Sequence, residues 1–195
     1  MTDGGARSPA GAAEAAPYEM TGGLIVKLAA IAFASLLLYP AAAHTQDITD
    51  AQIAAIVVAA NQVDVDAGKL AASRATNADV KKFGERMVTD HQGVNKSAVD
   101  LVTKLKVTPQ ENETSKALKA GGEKNLANLK KLTGAAFDKA YIDHEVTYHQ
   151  QVLEAIDKTL VPGAKNAELK ALLVKVRPAF VAHMEHAKQI QSSLK

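Results

Sequence analysis

Beyond residue 48, apolar residues recur every three or four positions, the spacing of one face of an α-helix. Thr49-Asp50-Ala51-Gln52 reads as a capping box, with Thr49 as N-cap and Gln52 three residues later. Behind it Ile53, Val57, Ala60, Ala67 and Ala71 keep the helical spacing to about Ala75. Asn77 can cap a second helix, whose stripe is Val80, Phe83, Met87, Val94, Ala98, Leu101 and Leu105; Val107-Thr108-Pro109-Gln110 ends it. A weaker helix is expected from about Thr114 to Leu132, interrupted at Gly121-Gly122 and closed by Gly134. A fourth runs from about Ala135 to Leu160, with Ile142, Val146, Leu153, Ile156 and Leu160 on one face. Val161-Pro162-Gly163 is expected to turn the chain into a last helix, from about Lys165 to Leu194, that Pro178 should kink. No useful stretch of period two competes. The fold class is therefore all-α, an up-and-down bundle of four long helices plus one shorter helix over residues 44–195.

The informative residues are polar ones that fall on these apolar stripes. Asp64 lies between Ala60 and Ala67, His91 between Met87 and Val94, His149 between Val146 and Leu153, and His183 between Phe180 and Ala187. A single such His is more often a hydrogen-bonded core residue than a ligand. Burying a carboxylate and three imidazoles separately is costly, because each needs its own partner. Convergence on one another, or on a metal ion, solves all four at once. Neutral imidazole is a ready ligand for copper, zinc or iron, and a carboxylate completes a mixed site.

An internal repeat supports this grouping. Val88-Thr89-Asp90-His91-Gln92-Gly93-Val94 matches Val146-Thr147-Tyr148-His149-Gln150-Gln151-Val152 at five of seven positions, and Phe83 and Tyr141 share the same offset of 58 residues. The second and fourth helices thus read as copies, each placing one His at the same depth. Around the turn near Thr76, Asp64 and His91 differ in level by only about 4.5 Å at helical rise, so they can meet. Around a turn centred near Pro162 the same counting separates His149 from His183 by roughly 12 Å, too far for shared ligation unless the turn is lopsided. Glu145 matches His183 better, at about 6 Å, and stands one turn from His149 on the same helix face. The candidate metal residues are accordingly His91, His149, His183, Asp64 and Glu145, with Asp90 beside His91 and His186 at the rim. His144 is expected to face solvent, and Tyr141 and Tyr148 to belong to the core.

The residues ahead of the helices carry a different signal. One basic residue (Lys27), an apolar run from Leu28 to Leu38 and an Ala-x-Ala at 41–43 form the pattern of a secretory signal peptide. Residues 20–43 are read as that signal; Leu24 to Ala43 is also about 20 residues, long enough for an uncleaved anchor, but Pro40 and the small-residue site favour cleavage. Residues 1–19, rich in Ala, Gly and Pro, read as a disordered leader, with Met20 an alternative start. The expected location is periplasmic, without stable membrane insertion once the signal is removed. Cleavage after Ala43 would expose His44, whose amine and ring could chelate copper.

Composition narrows the chemistry. With no Cys, there is no disulfide, thiol nucleophile, Cys-bound zinc or iron–sulfur cluster. Lys and Arg total 23 against 21 acids, and aromatics are 4%, so neither charge nor stacking surface points to nucleic acid. No Gly-rich phosphate loop, Gly-x-Ser-x-Gly elbow or His-Glu-x-x-His occurs.

Several segments together resemble a known bacterial exported family. They are Leu70-Ala71-Ala72-Ser73-Arg74-Ala75, Val80-Lys81-Lys82-Phe83-Gly84-Glu85-Arg86-Met87-Val88-Thr89-Asp90-His91, Leu132-Thr133-Gly134-Ala135-Ala136-Phe137-Asp138-Lys139-Ala140-Tyr141 with His149 ahead, and Arg177-Pro178-Ala179-Phe180-Val181-Ala182-His183. From about Thr49 to Leu194 the chain is similar to domain of unknown function 4142, a family often labelled outer membrane protein. The resemblance implies a ferritin-like helical bundle, secreted, with His91, His149 and His183 at the family's histidine positions. The outer-membrane label finds no barrel pattern and no anchoring Cys here. The chain also lacks the Glu-x-x-His pairs of ferritin-type iron oxidases, which disfavours a di-iron oxidase and favours a His-richer centre.

Two function classes follow. One is an exported bundle that stores, buffers or senses a transition-metal ion. The other is a helical interaction or envelope-stress protein whose inner histidines form a metal-free polar core. An enzyme is the least favoured reading, because it needs an open coordination position that the sequence does not display.

Overall fold

A computed structural model describes residues 47–194, so the expected leader (1–19), the signal segment (20–43) and His44 lie outside the described residues. Among the described residues there are five helices and no strand. They are α1 (Asp50–Arg74), α2 (Ala78–Lys104), α3 (Glu113–Leu129), α4 (Gly134–Ala155) and α5 (Ala167–Ser193). The all-α bundle of four long helices and one shorter one is what the structure shows.

Local chemistry sets the helix ends. The capping box at Thr49 forms: its hydroxyl accepts from Gln52 N at 3.2 Å, and the Gln52 side chain accepts from Thr49 N at 3.0 Å. Asn77 caps α2 and Asn166 caps α5, each accepting from two backbone N–H groups. Two aspartates then tie the turns to neighbouring helices. Asp138 of α4 accepts from Thr76 N, Thr76 Oγ1 and Asn77 N, fixing the α1–α2 turn. Asp50 of α1 accepts from Lys165 N and Asn166 N, fixing the turn before α5.

Two sequence expectations need correction. Gly121-Gly122 does not interrupt α3, which runs through both. A Cβ on Gly122 would come within 2.7 Å of a Val63 methyl, so this glycine permits close contact with α1 instead of breaking the helix. The chain does not turn at Val161-Pro162-Gly163. The fourth helix continues through a π-helical turn, Ile156–Leu160, and one more turn, Val161–Gly163: the Val161 N–H bonds Ile156 O, five residues back, so the ladder is already shifted where Pro162 lacks its N–H. The reversal comes at residues 164–166, and α5 starts at Ala167. Pro178 lies inside α5, where the sequence placed it.

Packing places α1 against α2, α3 and α4, and α5 against α2 and α4. Four helices (α1, α2, α5, α4) thus form a closed ring, and α3 lies along the outside of α1 as the return connection between α2 and α4. The α1–α2 contact is close: an ideal Cβ at Gly68 would stand 2.8 Å from the Gly84 carbonyl oxygen. The interior contains two apolar clusters, one around Ile53, Ile156, Leu169 and Leu173 and one around Phe83, Phe137, Tyr141 and Ile142. Each ring helix passes from one cluster to the other across a buried polar residue: Asp64, His91, Glu145 and His183. No helix among the described residues is long and apolar enough to cross a membrane.

Candidate metal centre

His91, His149 and His183 meet in the middle of the ring. Each contributes one ligand nitrogen, and these lie within 4.8 Å of one another. The ring centres are 5.2, 5.4 and 5.6 Å apart. A metal ion bound at 2.0–2.1 Å sits about 3.2 Å from each ring centre, which spaces the rings about 5.2 Å apart in tetrahedral and about 5.5 Å in trigonal geometry. The donor arrangement fits a transition-metal ion. All three side chains are fully buried.

The longer separation expected for His149 and His183 is corrected by the late turn. Counted from Lys165, the middle of the observed reversal, the two histidines stand 16 and 18 residues away, about 3 Å apart in level. The π-turn and the helical Pro162 supply the lopsidedness.

Each imidazole is held by one nitrogen and free at the other. His91 Nδ1 pairs with Asn61 Oδ1 at 2.7 Å; because an amide oxygen only accepts, Nδ1 carries the proton. His149 Nδ1 donates to the Glu145 carbonyl at 3.0 Å. His183 Nε2 donates to Asp90 Oδ2 at 2.8 Å. The opposite nitrogens, His91 Nε2, His149 Nε2 and His183 Nδ1, are buried without a partner. A proton on one nitrogen leaves a lone pair on the other, which is the state a metal ligand needs.

A second group overlaps the first. Asp64, Glu145 and His149 also bring ligand atoms within 4.8 Å of one another. Both carboxyl groups are buried, and none of their four oxygens has a hydrogen-bond partner. Burial and the nearby Glu145 push the Asp64 carboxyl well above its usual range, and burial lifts Glu145 to about 8. Burial, with the neighbouring imidazoles, depresses His91 to about 2 and His149 to about 3. Burial lowers His183 as well, against the opposing pull of Asp90. The metal-free centre is thus neutral imidazoles beside a carboxyl pair that holds its protons more tightly than free carboxyls do.

The remaining candidates stand apart. Asp90 lies outside both groups and touches the centre through His183. His186 packs on the Phe83 ring at 5.4 Å and belongs to neither group. His144 does not face solvent as expected; it is half-buried and stacks on Tyr148 at 5.5 Å. Tyr141 and Tyr148 are core residues, and the Tyr148 hydroxyl donates to the Ala60 carbonyl at 3.1 Å.

Two contributors escaped the sequence reading. Asn61 orients His91, and its own amide donates to Val57 O at 2.7 Å. The signal was an amide three residues before Asp64, on the same helix face. Phe180 closes the centre from below, its ring 5.0 Å from His91; nothing but its place on the stripe, one turn before His183, marked it.

No curated protein and no solved structure matches the chain. The model of the family described as Domain of unknown function (DUF4142) matches residues 38–190, nearly all of the helical region and its ring of buried histidines, and the chain belongs to that family.

Proposed function

We propose that this protein is an exported helical bundle that binds a transition-metal ion (copper, zinc or iron), to store, buffer or sense it. The observation that carries the reading is the trio of imidazoles: each has one nitrogen fixed by an acceptor and the other buried, unpartnered and within reach of its counterparts. Left metal-free, three unsatisfied nitrogens in an apolar interior are a standing cost. His91 Nε2, His149 Nε2 and His183 Nδ1 would hold the ion, and the acceptors Asn61, the Glu145 carbonyl and Asp90 would keep the rings aimed. Export is supported by the signal pattern at residues 20–43.

The test is metal content, by plasma mass spectrometry, of protein isolated from its host, beside a His91→Ala/His149→Ala variant checked for helicity by circular dichroism. At least one equivalent of metal in the wild type, lost in a helical variant, supports the reading. Wild type that stays metal-free after loading with copper, zinc and ferrous iron in turn overturns it in favour of a structural polar core.

A further inference from the structure

Below the histidines the bundle is not fully packed. An apolar cavity of about 100 Å³ lies between α1, α4 and α5, with the start of α3 along its outer side. Phe180 lines both this cavity and the centre above it, its ring 5.0 Å from His91. Ala60, Ala155 and Ile156 contribute to the sides, and Thr114 and Gln151, both exposed, stand at the mouth. We propose that this cavity binds a small, uncharged, apolar molecule about the size of one six-membered carbon ring, and that it does so whether or not the histidines hold a metal ion.

Size is the first argument. Protein interiors are packed as densely as organic crystals, and few voids exceed a water molecule. An apolar cavity of about 150 Å³ stays dry and takes benzene or xenon. The present cavity is smaller but open at its mouth, which suits an occupant of about six or seven carbon atoms. Local sequence keeps the space open. Ala60 and Ala155 each present a single methyl group where a longer side chain would fill it. The π-turn supplies Ile156 and Leu160 to the lining, and such turns recur at functional sites.

The lining sets the chemistry of the occupant. No charged side chain reaches the cavity. Of its polar side chains, Thr114 and Gln151 lie at the solvent end, and Tyr148 and Asn61 are already committed. The Tyr148 hydroxyl donates to the Ala60 carbonyl at 3.1 Å. The Asn61 oxygen pairs with His91 Nδ1, and its amide donates to Val57 O. A charged or strongly hydrogen-bonding group carried into the inner part would lose its water and find no partner. An aromatic occupant gains in addition, because the Phe180 and Tyr148 rings offer edge and face contacts.

The experiment titrates chelator-stripped protein with toluene, so that its outcome is separate from that of the metal-loading test. Binding is followed by NMR of labelled alanine methyl groups and by thermal melts. Toluene should bind saturably at about 1 mM or tighter. Intermolecular Overhauser contacts should reach the Ala60 and Ala155 methyls, and the melting point should climb with toluene concentration because the native state alone binds it. Ala155→Leu, which fills the cavity, should weaken binding by about tenfold or more. No saturable binding up to the solubility limit would overturn the proposal. So would contacts confined to methyls elsewhere, or unchanged affinity in a folded Ala155→Leu variant. The Overhauser contacts decide the matter on wild type alone if the variant fails to fold.

Discussion

Asp90 accepts the Nε2 proton of His183 across 2.8 Å, and the same oxygen takes Arg86 Nε at 3.2 Å. The carboxylate is partly exposed while the imidazole is buried, so this pair is the link from the centre to the surface. Partial burial pushes the Asp90 carboxyl upward, but the His183 and Arg86 hydrogen bonds outweigh it and hold the group below the usual range. An ionised acceptor on Nε2 makes the opposite nitrogen of His183 a better ligand. Partners of this kind are typically worth about 10–100-fold in metal affinity. Asp90→Ala should weaken metal binding by that factor in a competition titration against a chromophoric chelator. The metal-free protein should lose stability as well, by about 1–3 kcal/mol at most, since the buried Nε2–H of His183 loses its acceptor. Unchanged affinity would show that His183 is oriented by packing alone.

Asn61 is a buried counterpart on α1. Its amide donates to Val57 O and its oxygen accepts from His91, so both ends are fixed. Asn61→Leu keeps the volume but strands the His91 Nδ1 proton in an apolar surround, a loss of about 1–3 kcal/mol. Denaturant unfolding should register that loss, and metal affinity should fall with it because the ring can then adopt either tautomer. Loss of stability without loss of affinity would separate Asn61 from the metal centre.

Much of the bundle was legible because its signals are local. The Thr49 box, the Asn77 cap and the stripes through Val80–Leu105 and Ile142–Leu160 are written within a few residues of where they act. Four of the five central residues, Asp64, His91, His149 and His183, were legible for a related reason: each is a polar interruption of an apolar stripe, and Glu145 followed from its place one turn before His149. What could not be read was their meeting. Whether His149 and His183 share a level depends on where the chain reverses, and that was decided by a π-turn and by Asp50, which grips the N–H groups of Lys165 and Asn166 from 115 and 116 residues away. Pro162 looked like a turn residue, yet it is accommodated in the last turn of the fourth helix, behind the π-turn. Gly122 looked like a breaker for the same reason that it serves as a contact: the neighbour that needs its missing side chain, Val63, is remote in sequence.

Glycine therefore offers a matched test of the close α1–α2 approach. At Gly84 an added Cβ would meet Ala71 Cβ at 2.8 Å and the Gly68 carbonyl oxygen at 2.9 Å; at Gly93, on the same helix, it would meet nothing within 4 Å. Gly84→Ala should destabilise by about 1–3 kcal/mol through overpacking. Gly93→Ala should stabilise by roughly 0.5–1 kcal/mol by reducing the freedom of the unfolded chain. Equal shifts of the same sign in denaturant titrations would contradict the close crossing.

The metal-free centre should also give the protein a stability maximum near pH 6.5. In the fold His91 and His149 stay neutral down to about 2 and 3, and His183 is shifted the same way. In the unfolded chain they take up protons below about 6.5. Unfolding therefore absorbs protons on the acid side, and stability falls as pH drops below that value. Asp64 and Glu145 act oppositely. They keep protons in the fold, Glu145 up to about 8, but release them in the unfolded chain above about 4.5, so their effect is to lower stability as pH rises through that window. Between about 4.5 and 6.5 the three imidazoles outnumber the two carboxyls and acidification is the net destabiliser; above 6.5 the carboxyls act alone. Each uncompensated proton changes stability by about 1.4 kcal/mol per pH unit. Thermal melts of chelator-treated protein from pH 4 to 9 should trace this peak. Bound metal should lift the alkaline limb most, because it favours the ionised carboxylates that the empty fold resists. A melting curve that keeps rising from neutral pH to pH 8 without metal would mean the carboxyl pair is ionised in the fold.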